Sequence, residues 1–255
     1  MKEYQKEFAR VLAESGALFF APGLRLKDGR PTPYFVNMGL FCTGALSLEL
    51  GDRMAGLLEG NGLLNQVDVL VGPSYKGSAL AVAAAQCAFR NYGVNLFFDY
   101  DRKEVKTHGE ATGRADRFVT GGLRRGAKIF ILDDVGTSMA TKYDLLSLLE
   151  SESRDRGLDL KVVGVGLAVD RQQTSAVLDE DGRVREGERG RDAIRDFTSR
   201  TGIPVYCLAR IKEVVEYLAE EKIPVTINGE KRPINAGTLA GFRDYLSTYG
   251  TLERP

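Results

Sequence analysis

Five short apolar runs set the frame of this chain: QVDVLVG (66–72), VNLFFDY (94–100), AKIFILDD (127–134), LKVVGVGLAVD (160–170) and IPVYCLA (203–209). Each has the length of a strand, and none alternates cleanly between apolar and polar residues. A strand that is apolar on both sides cannot turn one face to water, so these runs must be covered twice. Helical stretches separate several of them. The alanine-rich GSALAVAAAQCAFRNYG (77–93) closes on Gly93, and residues 138–153 carry leucines at 145, 146, 148 and 149. Continuous strands alternating with helices define an α/β chain with a central parallel sheet flanked by helices. Such sheets bind ligands beyond the carboxyl ends of their strands. The unusual residues of this chain fall at those ends, in GPSYKG, DYDRKEVKTHGE, DDVGTS and DRQQ.

The flanking segments have a different texture. MKEYQKEFARVLAESG reads as an amphipathic helix and not as a signal peptide. Short extended pieces punctuated by Gly and Pro follow in ALFFAPGLRLKDGRPTPYFVN, and a helix runs from about residue 44 to the stop at EGNG. VLDEDGRVREGERGRD (177–192) and IPVTINGEKRPIN (223–235) carry Asp-Gly and Asn-Gly turn signals, and both read as surface hairpins. The second leads into a last helix at about 236–248. At 255 residues the whole forms one domain: an N-terminal part (1–43), an α/β core (44–210) and a C-terminal extension (211–255).

Charge and cysteine usage narrow the class further. Lys plus Arg and Asp plus Glu each total 35, so no global charge calls for nucleic acid or an anionic membrane, and any anion site must be local. No apolar stretch reaches the length of a membrane span. Cys42, Cys87 and Cys207 are scattered and odd in number, which fits a reducing cytoplasm. A single histidine, His108, rules out a multi-histidine metal site.

The feature that asks for chemistry is Asp133-Asp134 at the end of an apolar run. Adjacent carboxylates repel by ~1 kcal/mol or more at a surface-like dielectric. A Walker-B reading lacks its P-loop, because GPSYKGS has its lysine before the second glycine. A phosphatase-type D-x-D fails at Val135, and GVGLAV lacks the third glycine of a dinucleotide fingerprint. Capping of a helix that begins near Thr137 stays open. So does a sugar-phosphate site, in which the acids take vicinal ribose hydroxyls and Gly136, Thr137 and Ser138 cradle a phosphate at a helix start.

IFILDDVGTSMATK resembles the phosphoribosyl-pyrophosphate signature of the type I phosphoribosyltransferases. Four further segments narrow the resemblance to the orotate phosphoribosyltransferases. LRLKDGRPTPYFVNMGLFCTG is similar to that family's N-terminal substrate segment and VGPSYKGSALA to its pyrophosphate loop. DRKEVKTHGE resembles its catalytic loop, and AVDRQ its late orotate-binding arginine. All occur in family order within residues 2–172, and the R-K-x-x-K-x-H spacing is the most specific of them.

The resemblance implies a type I phosphoribosyltransferase fold, with a small hood from the N-terminal segment and additional C-terminal elements. It implies transfer of the phosphoribosyl group from 5-phosphoribosyl 1-pyrophosphate to orotate. Lys27 would reach the substrates from the hood, and Phe35 would stack on the pyrimidine with Val36 beside it. Tyr75 and Lys76 would hold pyrophosphate, with Ser74–Tyr75 as the candidate cis peptide. Arg102, Lys103, Lys106 and His108 would neutralise the leaving pyrophosphate, in a loop that Gly109 and Gly113 let open and close. Asp133 and Asp134 would bind the ribose hydroxyls. Val135, Gly136, Thr137, Ser138, Met139, Ala140 and Thr141 would wrap the 5-phosphate, although the family pattern has glycine where Met139 stands. Arg171 would pair with the orotate carboxylate. Mg2+ would arrive on substrate oxygens, and the active form would be a homodimer that shares its sites across the two-fold, because the cationic loop is poorly anchored by its own domain. A purine phosphoribosyltransferase shares the acid pair but needs neither Arg171 nor this loop. A non-catalytic sensor of the sugar pyrophosphate that binds nucleic acid would want a basic face, which the charge balance does not supply.

Overall fold

A computed structural model describes residues 1–106, 116–136 and 138–252. The chain opens with helix α1 (Glu3–Glu14), strands β1 (Leu18–Phe20) and β2 (Tyr34–Val36), and helix α2 (Gly44–Gly60). Then come β3 (Val69–Gly72), α3 (Lys76–Tyr92), β4 (Phe97–Lys106), β5 (Asp116–Phe118), β6 (Lys128–Gly136), α4 (Ala140–Arg156) and β7 (Lys161–Asp170). The last third adds α5 (Ala193–Thr201), β8 (Val205–Arg210), α6 (Ile211–Glu220), β9 (Val225–Ile227), β10 (Glu230–Arg232) and α7 (Ala236–Tyr249).

The main sheet has the order β5-β4-β3-β6-β7-β8 and is parallel throughout except for the β4–β5 pair at one edge. The central runs, in β3 and β6, are buried on both faces, whereas toward the edge Phe97 of β4 stands 46% exposed. In β6, Phe130 and Leu132 join one core with α1, α2, α3 and α6, whereas Ile129 and Ile131 join a second core with α4 and α5. Strand period two does the sorting. Helix ends follow local chemistry: the Thr43 hydroxyl accepts from the Leu46 N–H at the start of α2, and Gly93 ends α3 at φ 70°.

A second sheet of order β10-β9-β1-β2 forms the hood. The hairpin at 223–235 is therefore no surface elaboration. Its β9 lies parallel to β1, with Phe20 opposite Ile227, and Val225 and Ile227 are buried in the core. Residues assigned from sequence to a C-terminal extension supply half of the hood's strands. The 177–192 segment holds only an isolated antiparallel bridge, Leu178 to Val184, and it leans on the hood turn through an exposed Arg25–Glu186 pair. Strand β4 also exceeds its apolar run. It continues through Arg102 and Lys103 to Lys106, and its register with β5 sets Asp101 against Phe118 and Lys106 against Asp116. The base of the cationic loop is thus built into the sheet, contrary to the expectation of poor anchorage.

Candidate active site

Because β3, β4, β6 and β7 run parallel, their carboxyl ends open onto one edge. The turn after β3 is formed by backbone packed on backbone. A Cβ added at Gly72 would sit 1.9 Å from the Gly77 carbonyl oxygen, and one at Gly77 would sit 2.6 Å from Pro73 Cδ. Only glycine allows so tight a loop. The Ser74–Tyr75 peptide is cis, the bond singled out from the resemblance. Tyr75 stands 78% exposed, and Lys76 reaches across to Asp134 at 3.1 Å. Asp101 fastens the same turn to β4, since it accepts the Ser74 N–H while its carbonyl accepts the Ser74 hydroxyl. Lys103 lies 3.4 Å from the Asp101 carboxylate. Arg102 Nε donates to the Phe118 carbonyl at 3.3 Å, along the β4–β5 pair. The Lys106 side chain, His108, Gly109 and Gly113 lie outside the described residues.

The two acids do not cap a helix. Both lie within β6, and α4 begins only at Ala140 with no side-chain cap. Successive strand residues point to opposite faces, and this is how adjacent like charges coexist here. Asp133 turns inward, 7% exposed, and its Oδ2 meets the ammonium of Lys142 and the Thr141 hydroxyl, the latter at 3.4 Å. Its Oδ1 accepts the Asp134 N–H at 2.9 Å. Burial pushes the Asp133 carboxyl above the usual range; Lys142 opposes that rise and Asp134 adds to it. Asp134 turns outward, where its Oδ1 accepts the Val135 N–H and its Oδ2 faces Lys76. Lys142 did not emerge from the sequence reading. The available signal was a lone cation on the buried stripe 142, 145, 146, 149 of a helix.

The residues after the acids turn sharply into α4. Val135 is half-buried and Gly136 is buried, where an added Cβ would lie 2.5 Å from Leu167 Cδ1 and would push that side chain aside. Thr137 lies outside the described residues. Ser138, Ala140 and Thr141 are exposed. Met139 adopts φ 60°, the left-handed conformation that favours glycine, and its side chain is only 1% exposed within the core under α4. The backbone turn is kept and a buried thioether packs beneath it.

Gly136 pairs with Asp170 across β6 and β7, so Arg171 emerges beside the phosphate-type turn. Arg171 is 5% exposed; its guanidinium carbon lies 5.1 Å from the Tyr34 ring centroid and 5.7 Å from that of Phe35. Its Nε and Nη2 have no hydrogen-bond partner. Buried unpaired donors cost roughly 1–3 kcal/mol each, more on a charged group, so the position favours an anion. Phe35 is half-buried beside Phe19, at 5.9 Å between ring centroids. Val36 faces the core instead. Lys27 is exposed in the hood turn, which Arg30 anchors through Asp28 and the Thr174 carbonyl, each at 2.6 Å. Among the described residues no cluster of three or more His, Cys, Asp or Glu side chains could hold a metal ion, and no helix is long and apolar enough to cross a membrane.

Comparison with known proteins adds a family. No family model matches the chain. An orotate phosphoribosyltransferase of Nitrosococcus oceani is 33% identical over 221 residues, covering 87% of this chain and 89% of its own. The orotate phosphoribosyltransferase of Methylococcus capsulatus is 32% identical, covering 98% of this chain and 100% of its own. Among solved structures, the orotate phosphoribosyltransferase of Francisella tularensis superposes with a TM-score of 0.67 at 27% identity, over 96% of this chain and 98% of its own. That of Aeropyrum pernix shares the fold, with a TM-score of 0.56 at 21% identity over 83% and 97% of the two chains.

Proposed function

Since the chain belongs to the orotate phosphoribosyltransferase family and has its type I phosphoribosyltransferase fold, we propose that the edge described above carries out that family's reaction. The enzyme transfers the 5-phosphoribosyl group from 5-phosphoribosyl 1-pyrophosphate to N1 of orotate, giving orotidine 5-phosphate and pyrophosphate, a step of pyrimidine nucleotide synthesis. The observation that carries this reading is the buried, half-unpaired guanidinium of Arg171 over Phe35. A planar base with a carboxylate fits both partners, whereas adenine or hypoxanthine would leave the charge unanswered.

Each group then has a task. Arg171 holds the orotate carboxylate while Phe35 supports the ring, with Val36 packing beneath the strand. Asp134 and Asp133 accept from the ribose hydroxyls, and their charge favours the positive anomeric carbon of an oxocarbenium-like state as displacement inverts it. The turn from Val135 to Thr141, with Gly136, Thr137, Ser138, Met139 and Ala140, receives the 5-phosphate at the start of α4. Tyr75, Lys76 and the N–H groups that begin α3 receive the pyrophosphate. Lys27, Arg102, Lys103, Lys106 and His108 neutralise its charge as it departs. Hard carboxylate oxygens at Asp134 fit Mg2+ carried mainly by the substrate. When bound, the ion would offset negative charge on the substrate's oxygens.

The 255 residues act as one catalytic domain, as a homodimer in the cytoplasm, with small molecules and not nucleic acid or membrane as partners. Exposed Leu48 on α2 and Phe89 and Tyr92 on α3, 42%, 60% and 42% exposed, give apolar surface for the dimer contact. The test follows orotate absorbance with the sugar pyrophosphate and Mg2+, beside adenine and hypoxanthine. Consumption of orotate alone is expected; turnover of a purine in its place would overturn the assignment.

A further inference from the structure

The geometry points to Lys142 as a positioning residue of this site: its buried ammonium ties Asp133 to the start of α4 and so sets the geometry in which the acid pair meets the sugar. The inference rests on the reaction assigned above and concerns how its sugar site is built.

Lys142 is 3% exposed, and among residues of the acid-pair edge that is close to complete burial. Its Nζ pairs with Asp133 Oδ2 and lies 3.4 Å from the Val135 carbonyl oxygen. A single ammonium therefore bridges the strand end and the first turn of α4 across the turn assigned to the 5-phosphate. Thr141 approaches the same Asp133 oxygen from the same helical turn. The other Asp133 oxygen is occupied by the Asp134 N–H. Asp133 is thus engaged within the protein on both oxygens. Asp134, by contrast, spends Oδ2 on Lys76, a 59% exposed side chain that can swing away when a ligand arrives.

A buried ion pair contributes little net stability, because desolvation offsets attraction, yet removing one partner strands the other. What such a pair does well is hold a geometry. Here it fixes where α4 begins relative to β6. Met139, just before this turn, supplies no capping side chain, so the helix start is joined to the acid pair by the Lys142 ion pair and the longer Thr141 contact.

The test is a double-mutant cycle of Lys142→Met, Asp133→Asn and their combination, read on each substrate separately. Lys142→Met is expected to raise KM for the sugar pyrophosphate about tenfold or more, and to weaken calorimetric binding of ribose 5-phosphate alike, with KM for orotate within about twofold. Because Lys142 acts through Asp133, the combination should bind the sugar no worse than Asp133→Asn alone. Multiplying losses, wild-type sugar affinity in Lys142→Met, or equal losses for both substrates would each overturn the inference. If Lys142→Met does not fold, the comparison of the combination with Asp133→Asn decides alone, since the combination leaves no buried charge and the lysine that Asp133→Asn leaves unpaired can shed its proton. Ribose 5-phosphate binding separates this question from the reaction assignment, which fails only if the wild-type enzyme leaves orotate untouched.

Discussion

At Met139 two residue-scale effects oppose each other, and magnitudes decide between them. The left-handed conformation costs a side-chain-bearing residue roughly 1–2 kcal/mol. Truncating a buried methionine costs about 2–5 kcal/mol. Met139→Gly should therefore destabilise the protein by about 1–3 kcal/mol in denaturant melts while leaving turnover close to wild type, since the backbone turn needs no side chain. A gain in stability would show that the thioether packs poorly. Arg171→Ala should weaken orotate binding by about 2 kcal/mol and leave sugar pyrophosphate binding nearly intact, because the lost contact is one charge-assisted pair. Titration calorimetry with each substrate checks it; equal loss for both would make Arg171 a support of the fold. The acid pair stood out because two like charges at a strand end ask for partners, whereas Arg171 was singled out only through the resemblance; the structure places both at the carboxyl-end edge of the sheet. The inward pairing of Asp133 was not legible, since it depends on Lys142, a partner one helical turn into α4. Val36 shows the same limit: its place beside Phe35 in sequence puts it on the other face of β2.

Elements were legible where burial alone fixes them. The five apolar runs became strands of the main sheet, and the central ones are buried on both sides. Helix α6 was missed, although Ile211, Val214, Val215 and Leu218 follow helical spacing and are all buried. The second hairpin was recognised as a hairpin but not as part of the hood, because a parallel pairing between β1 and β9 leaves no local trace in sequence. The hood turn permits a prediction at this scale. Burial pushes the Asp28 carboxyl up, but hydrogen bonds and charge from Arg30 outweigh it and hold it below the ordinary 3.8. A depressed carboxyl adds stability that is present above 3.8 and is lost as pH falls through its lower folded value. The gap in melting temperature between wild type and Asp28→Asn should thus be widest near neutrality and close in acid. A gap that stays constant with pH would mean that the pair contributes nothing through charge.

The molecule as a whole raises the question of how many chains complete one site. Lys106→Ala and Asp134→Ala variants, each inactive, should regain activity when mixed after dissociation and reassociation. In the mixed dimer one site then draws an intact lysine from one subunit and an intact acid pair from the other. No recovery despite demonstrated subunit exchange would confine each loop to its own subunit and leave the reaction assignment in place. The overall architecture was readable from the alternation of strands and helices; the oligomer was suggested by the resemblance and by the reach of a glycine-bearing cationic loop, because a contact between copies has no periodicity within one chain. The hood, finally, joins the two ends of the chain, with β1 and β2 from residues before 37 and β9 and β10 from residues after 224. On the ribosome, all six strands of the main sheet are available once Arg210 has been made, while β1 still lacks the neighbour that flanks it. A nascent chain can therefore shape the carboxyl-end edge of its main sheet before it can complete the hood. The order of synthesis makes the hood the later of the two sheets to mature, and a message cut short just after Arg210 would yield a main sheet with an unfinished roof.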